Sequence, residues 1–194
     1  MIGYLKGDLT FKDPTFVIID VNGVGYEVKI SLYTFAKIKD LETCMLHTYL
    51  YVKEDAQILY GFFDREEKST FLQLLSINGV GPNTALMINS SLTVDELKNA
   101  IVNEDVMVIQ KVKGIGNKTA HRIILELKDK IRKEGFDASA PKPQGRNIRS
   151  EALSALVTLG INRNVAEKSV IEILKQKGSD ISVEDLIKLV LKQS

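Results

Sequence analysis

Tryptophan is absent from this chain, cysteine occurs once, histidine twice, and the formal charge is close to balanced at +1. Each scarcity closes a route to function. A single thiol, Cys44, cannot form an internal disulfide and reads as a small core residue, and one cysteine with two histidines leaves no ligand set for structural zinc. No Gly-x-x-x-x-Gly-Lys-Ser/Thr phosphate loop occurs, so ATP hydrolysis is not expected of the chain itself. Carboxylates are scattered rather than grouped as in a metal-dependent nuclease. His47 sits in an apolar strand pattern and His121 on a helix face, where packing and surface roles are expected rather than acid-base catalysis. No apolar run approaches the roughly 18 to 20 residues of a membrane span. The opening, Met1 to Asp8, lacks a charged-then-apolar leader, which makes a cytosolic location the expectation. The chain therefore reads as non-catalytic, with no metal and no cofactor.

With 194 residues, 44% of them hydrophobic, the chain has the length for one large or two to three small domains. Its first 62 residues carry β patterning. Phe16–Val21 and Gly23–Ile30 flank Asn22-Gly23, a two-residue hairpin signal, and Val24, Tyr26, Val28 and Ile30 alternate with polar or small residues. A short helix is expected around Leu32–Ile38, then strands Cys44–Val52 and Gln57–Phe62 joined by Lys53-Glu54-Asp55-Ala56. About five strands with one interposed helix fit a small closed barrel of the oligonucleotide/oligosaccharide-binding (OB) type.

At Asp64 the periodicity changes from 2 toward 3.6 and an all-helical segment begins. Asp64 with Glu67 resembles a capping box, and Phe71, Leu72, Leu74 and Leu75 mark a buried helix side. Pro82 suits a first helical turn, Thr93 with Glu96 caps another helix, and Asp105–Gln110 and Asn117–Lys133 supply the rest. Residues 135–147, rich in Pro, Gly and small side chains, read as a flexible linker. Three amphipathic helices follow, at about 148–159 ending near Gly160, 163–177 ending at Gly178, and 183–192 after Ser182. The expected domains are thus 1–63, 64–134, the linker 135–147, and 148–194.

One arrangement occurs twice. Leu75-Ser76-Ile77-Asn78-Gly79-Val80-Gly81-Pro82-Asn83-Thr84-Ala85 and Lys111-Val112-Lys113-Gly114-Ile115-Gly116-Asn117-Lys118-Thr119-Ala120 share a Gly-hydrophobic-Gly-x-x-Thr-Ala frame, 35 residues apart (114 − 79). Each reads as helix, tight hairpin, helix, with Val80 or Ile115 anchoring the turn in the core. The glycines permit backbone shapes and approaches that a Cβ would obstruct, and N–H groups at the next helix start suit a phosphate. Asn83, Thr84, Asn117, Lys118, Thr119 and Arg122 would supplement them. Such contacts read backbone shape rather than base identity. The net charge hides a cluster of Lys111, Lys113, Lys118, Arg122, Lys128, Lys130, Arg132 and Lys133 around the second copy. Glu54 and Asp55 form either a solvated turn or an electrostatic pin that repels phosphates.

These segments together resemble the RuvA family of bacterial Holliday-junction recognition subunits. The resemblance is carried by the opening Met1–Gly7, the hairpin Val52–Phe62, Asn78-Gly79-Val80-Gly81-Pro82, and Gly114-Ile115-Gly116-Asn117-Lys118-Thr119-Ala120. It implies an OB-fold barrel, a double helix-hairpin-helix domain and a three-helix, UBA-like domain. It also implies a homotetramer, or two tetramers, holding a four-way DNA junction open in recombination and repair. The RuvB hexameric ATPase is an implied partner through the third domain, and the RuvC resolvase a further one. Glu54 and Asp55 match the family's acidic pin, Gly79, Gly81, Gly114 and Gly116 its phosphate-gripping hairpins, and Lys118 and Arg122 its basic contacts. Asn83 and Asn117 stand where lysine is common in the family. The alternatives are a non-specific DNA-binding accessory and a protein-interaction scaffold.

Overall fold

The computed structural model describes residues 1–134, 148–177 and 181–193. The stretch 135–147 read as a linker, and Gly178 read as a helix end, lie outside the described residues.

Strands β1 (Tyr4–Lys12), β2 (Phe16–Val21), β3 (Val24–Ile30), β4 (Thr43–Val52) and β5 (Gln57–Phe62) close into a barrel in the order β1-β2-β3-β5-β4, with α1 (Leu32–Ile38) between β3 and β4. β3 and β5 pair in parallel and the other neighbours antiparallel. The β2–β3 turn forms at Asn22-Gly23 with φ of 53° and 87°, which matches the twist of the flanking strands. The alternation along β3 is only partly realised. Val28 and Ile30 are buried, but Val24 is exposed and Tyr26 half-buried, because β5 pairs only with Val28–Ile30 and leaves the start of β3 flanked on one side.

Leu5, Val17, Ile19, Leu46 and Leu59 fill the barrel with Ile38 from α1. Gly61 belongs to its wall for lack of room: a Cβ there would lie 2.5 Å from Val28 Cγ1 and 3.0 Å from Leu46 Cδ1. Its neighbours face the other way. Tyr60 and Phe62 join the helical core, where Phe71 of α2 (Arg65–Leu75) meets them at ring-centroid separations of 5.2 and 4.9 Å. Period-two alternation along β5 thus gives one strand to two cores, and the described residues 1–134 lie in one compact unit.

The remaining helices of that unit are α3 (Pro82–Ser91), α4 (Val94–Val102), α5 (Val106–Gln110) and α6 (Asn117–Glu134). Thr93 and Glu96 form the expected capping box on α4, and Asp105 caps α5 through the N–H groups of Met107 and Val108. The expected box at α2 does not form. Asp64 holds the N-cap position without capping and instead accepts from Tyr33 Oη at 2.7 Å, while Glu67 is buried against α1. A buried carboxylate requires donors, and the hydroxyls of α1 supply them where the local cap cannot. Leu72, expected on the buried side, falls at the edge of the Phe71/Leu74 stripe and is exposed.

The second unit contains α7 (Ile148–Thr158), α8 (Arg163–Lys177) and α9 (Val183–Gln193) around Ala152, Leu156, Ala166, Val170, Leu186 and Val190. Ser182 caps α9, its Oγ accepting from Asp185 N–H at 3.1 Å.

Candidate nucleic-acid interface

The two hairpins repeat each other in packing as well as in sequence. Leu74, Ile77, Val80, Ala85 and Ile88 are buried, and so are Ile109, Val112, Ile115, Ala120 and Ile123, each 35 positions later. Val80 N–H donates to the Ile77 carbonyl at 3.0 Å and Ile115 N–H to the Val112 carbonyl at 3.1 Å. With the middle residue of each Gly-x-Gly buried, its flanking glycines and the following helix start are held at the surface.

The glycines of each pair do different things. Gly79 and Gly114, at φ of 89° and 88°, take the left-handed conformation that turns the chain. Gly81 lies at φ −86°, and Gly116 is not among the positive-φ residues. A Cβ on Gly81 or Gly116 would meet nothing within 4 Å. The second glycine therefore keeps a surface approach open rather than satisfying the fold.

Ala85 N–H is the first of α3 to bond back, to the Gly81 carbonyl at 2.9 Å, and Ala120 N–H does the same with Gly116 at 2.9 Å. The N–H groups before them have no intrahelical acceptor. In the first hairpin these are Asn83 and Thr84, since Pro82 has none; in the second they are Asn117, Lys118 and Thr119. The second copy thus offers one more donor, at the positive end of the longer helix.

Among the side chains expected at the site, Asn83, Asn117, Lys118 and Arg122 are exposed, and Thr84 and Thr119 half-buried. Among the described residues, no hydrogen bond or ion pair engages Lys118. Asn83 is engaged: its Oδ1 accepts from Tyr60 Oη of β5 at 3.3 Å. Arg122 Nη1 donates to the Asn78 carbonyl in the first hairpin at 2.9 Å. Lys130 Nζ bonds Ser76 Oγ in that same hairpin, and Lys128 pairs with Glu104. Part of the basic cluster on α6 thus braces the first hairpin. The sequence reading missed Ser76, Asn78 and Tyr60 as partners, because hydrogen bonds spanning 54, 44 and 23 residues leave no local pattern.

At the far end of the β4–β5 hairpin, beyond the last pair Val52 and Gln57, Lys53 N–H donates to the Ala56 carbonyl at 2.8 Å. Glu54 and Asp55 stand exposed at this tip, and Lys53 lies 5.6 Å from the Tyr51 ring centroid. Two like charges are fixed where no local cation pairs with them among the described residues.

The remaining reactive groups are ordinary in position. Cys44 is buried in the barrel, which pushes its thiol up to about 11. His47 is half-buried in β4, and desolvation, then the charges of Arg65 and Lys68, hold it below its usual value. His121 Nδ1 lies 2.9 Å from the Asn117 carbonyl. Among the described residues no group of three or more His, Cys, Asp or Glu is placed to hold a metal ion, and no helix is long and apolar enough to cross a membrane.

Comparison with known proteins covers the same three segments. Residues 1–61 match the RuvA N terminal domain, 71–129 the SAM-like helix-hairpin-helix tandem, and 147–194 the RuvA C-terminal domain. The chain is 53% identical to the Holliday junction branch migration complex subunit RuvA of Cytophaga hutchinsonii, with 100% of both chains covered. It is 50% identical to the protein of that name from Amoebophilus asiaticus, over 99% of this chain and 100% of the relative. The protein of that name from Christiangramia forsetii is 49% identical, with 100% of both covered. With the closed barrel, the twin hairpins and relatives matched from end to end, this chain belongs to the RuvA family.

Proposed function

We propose that this chain binds four-way DNA junctions by structure rather than sequence, holds them open, and recruits a RuvB-type hexameric ATPase that drives branch migration. The twin hairpin carries the reading. Two sets of unsatisfied helix-start N–H groups, each beside an open glycine, suit two phosphates of a backbone. Gly79, Gly81, Asn83, Thr84, Gly114, Gly116, Asn117, Lys118, Thr119 and Arg122 form the grip. Because these groups contact phosphate, they position the duplex and leave sequence unread.

Four copies about a fourfold axis would give each arm one double hairpin and bring four Glu54/Asp55 tips to the crossover. Carboxylates there repel phosphates and keep parted strands apart. The modest charge of a single chain is compatible with this, because several weak grips act together. The barrel supplies the contacts between copies, residues 148–194 dock the ATPase, and the RuvC resolvase acts on the same junction. The chain is cytoplasmic and has no catalytic site of its own; the relatives' names as branch migration complex subunits support that place in the complex. Native mass measurement with an immobile four-way junction tests the assembly. Four or eight chains per junction are expected, and one or two would contradict it.

A further inference from the structure

Glu67 is 2% exposed. Its carboxylate accepts from Ser31 Oγ, from Thr34 Oγ1 at 2.6 Å and from Phe63 N–H at 3.3 Å. Its backbone carbonyl accepts from Asn89 Nδ2 at 3.1 Å. Ser31 caps α1, Phe63 follows directly on β5, and Asn89 lies on α3, the helix that begins at the first hairpin. One residue thus joins the base of the acidic β-hairpin to the phosphate-gripping hairpin.

We infer that Glu67 is a positioning residue for junction recognition, holding the acidic tip at a fixed offset from the first helix-hairpin-helix. The inference rests on the function proposed above. Apolar packing of Tyr49, Tyr60 and Phe62 on Phe71 brings the barrel and helices together, but such contacts tolerate sliding. Directed hydrogen bonds to its carboxylate from α1 and the end of β5, with the Asn89 bond from α3 to its backbone carbonyl, do not. The lever is long: β5 has six residues at about 3.3 Å each, so its far end lies roughly 20 Å from Phe63, and a tilt of about 10° there moves the tip by roughly 3 Å. A displacement of that size shifts four tips at a crossover while leaving each hairpin pair intact. Linear duplex needs only the hairpins; a four-way junction needs hairpins and tips in register.

The affinity ratio of a four-way junction to linear duplex of the same sequence separates this role from a simple loss of folded protein, because the active fraction cancels in the ratio. In Glu67→Ala the ratio should fall at least tenfold with duplex affinity kept within about twofold, and Glu67→Gln, of the same length, should recover part of it. Ser31→Ala with Thr34→Val removes the same bonds from the barrel side and should shift the ratio in the same direction; it decides the matter if Glu67→Ala does not fold. A ratio unchanged within twofold in these variants overturns the inference. A parent chain with no junction preference overturns the proposed function instead.

Discussion

Arg122 Nη1 sits 2.9 Å from the carbonyl oxygen of Asn78, so the helix that follows the second hairpin holds the turn of the first. The guanidinium has five N–H donors, and those not spent on Asn78 can still meet a phosphate. Arg122→Ala should therefore lower Tm by about 3 °C, the equivalent of about 1 kcal/mol, and also weaken DNA binding. Arg122→Lys keeps the charge but not the planar fork and should restore little. Lys118→Ala is the control: with no intramolecular partner among the described residues, its loss should leave Tm unchanged and reduce the salt slope of log K by roughly 0.9 per engaged chain. Full rescue by lysine at position 122 would show that charge alone matters there.

Glycine replacement should separate fold from grip. Gly79→Ala and Gly114→Ala force alanine into the left-handed region at a cost of about 1–2 kcal/mol each. Gly81→Ala and Gly116→Ala meet no atom within 4 Å and should cost under about 1 kcal/mol, yet place a methyl group at the proposed phosphate contact. Denaturant midpoints and DNA titrations on the four variants check this. Equal DNA affinity in Gly116→Ala and parent would remove the second glycine from the interface.

The acidic tip makes its own prediction. Glu54→Gln with Asp55→Asn removes two exposed charges per chain without touching a hydrogen bond of the turn, which is made by backbone atoms. Tm should hold, while fluorescence of a base analogue at the crossover should report less strand separation. The effect should be confined to bases within about 8 Å of the tips at 0.15 M salt, the screening length there. Unchanged fluorescence would return Glu54 and Asp55 to the role of a solvated turn.

Burial raises the Glu67 pKa above its ordinary value; hydrogen bonds from Ser31, Thr34 and Phe63 oppose the rise and nearby Asp64 adds to it. The sign follows. The folded state holds this proton more tightly than the unfolded chain, so the contribution to stability is full below the ordinary value of 4.5 and is lost as pH rises through the raised folded value. The stability difference between parent and Glu67→Gln should shift against the parent across that interval, measured by denaturation at a series of pH values. A difference independent of pH from 4.5 upward would show that Glu67 is not held in this way.

Elements whose cause is local were legible in the sequence. Asn22-Gly23 forms its turn, Thr93 and Glu96 cap α4, and Val80 and Ile115 anchor their hairpins in the core. The family resemblance, which implies the three-part architecture, rests on the opening Met1–Gly7, the Val52–Phe62 hairpin and the twin Gly-x-Gly frames. What escaped was non-local. Glu67 fits the spacing of a capping box, but the hydroxyls of Ser31 and Thr34, brought over it by barrel closure, claimed its carboxylate. Arg122 reads as a phosphate contact and folding also sets it beside Asn78, while nothing in the strand pattern of Gln57–Phe62 marks Tyr60 for a second core. Asn83 and Asn117 were singled out for lacking the family's usual lysine; Tyr60 Oη on Asn83 gives the first of them a local partner.

Competition titration of the full chain with an immobile four-way junction and with linear duplex of identical sequence, in one buffer at fixed salt, asks whether the twin hairpins and acidic tips work as a junction clamp. Tighter binding to the junction by at least about tenfold, or 1.4 kcal/mol, is the expected result. Equal affinity for the two DNAs would contradict it.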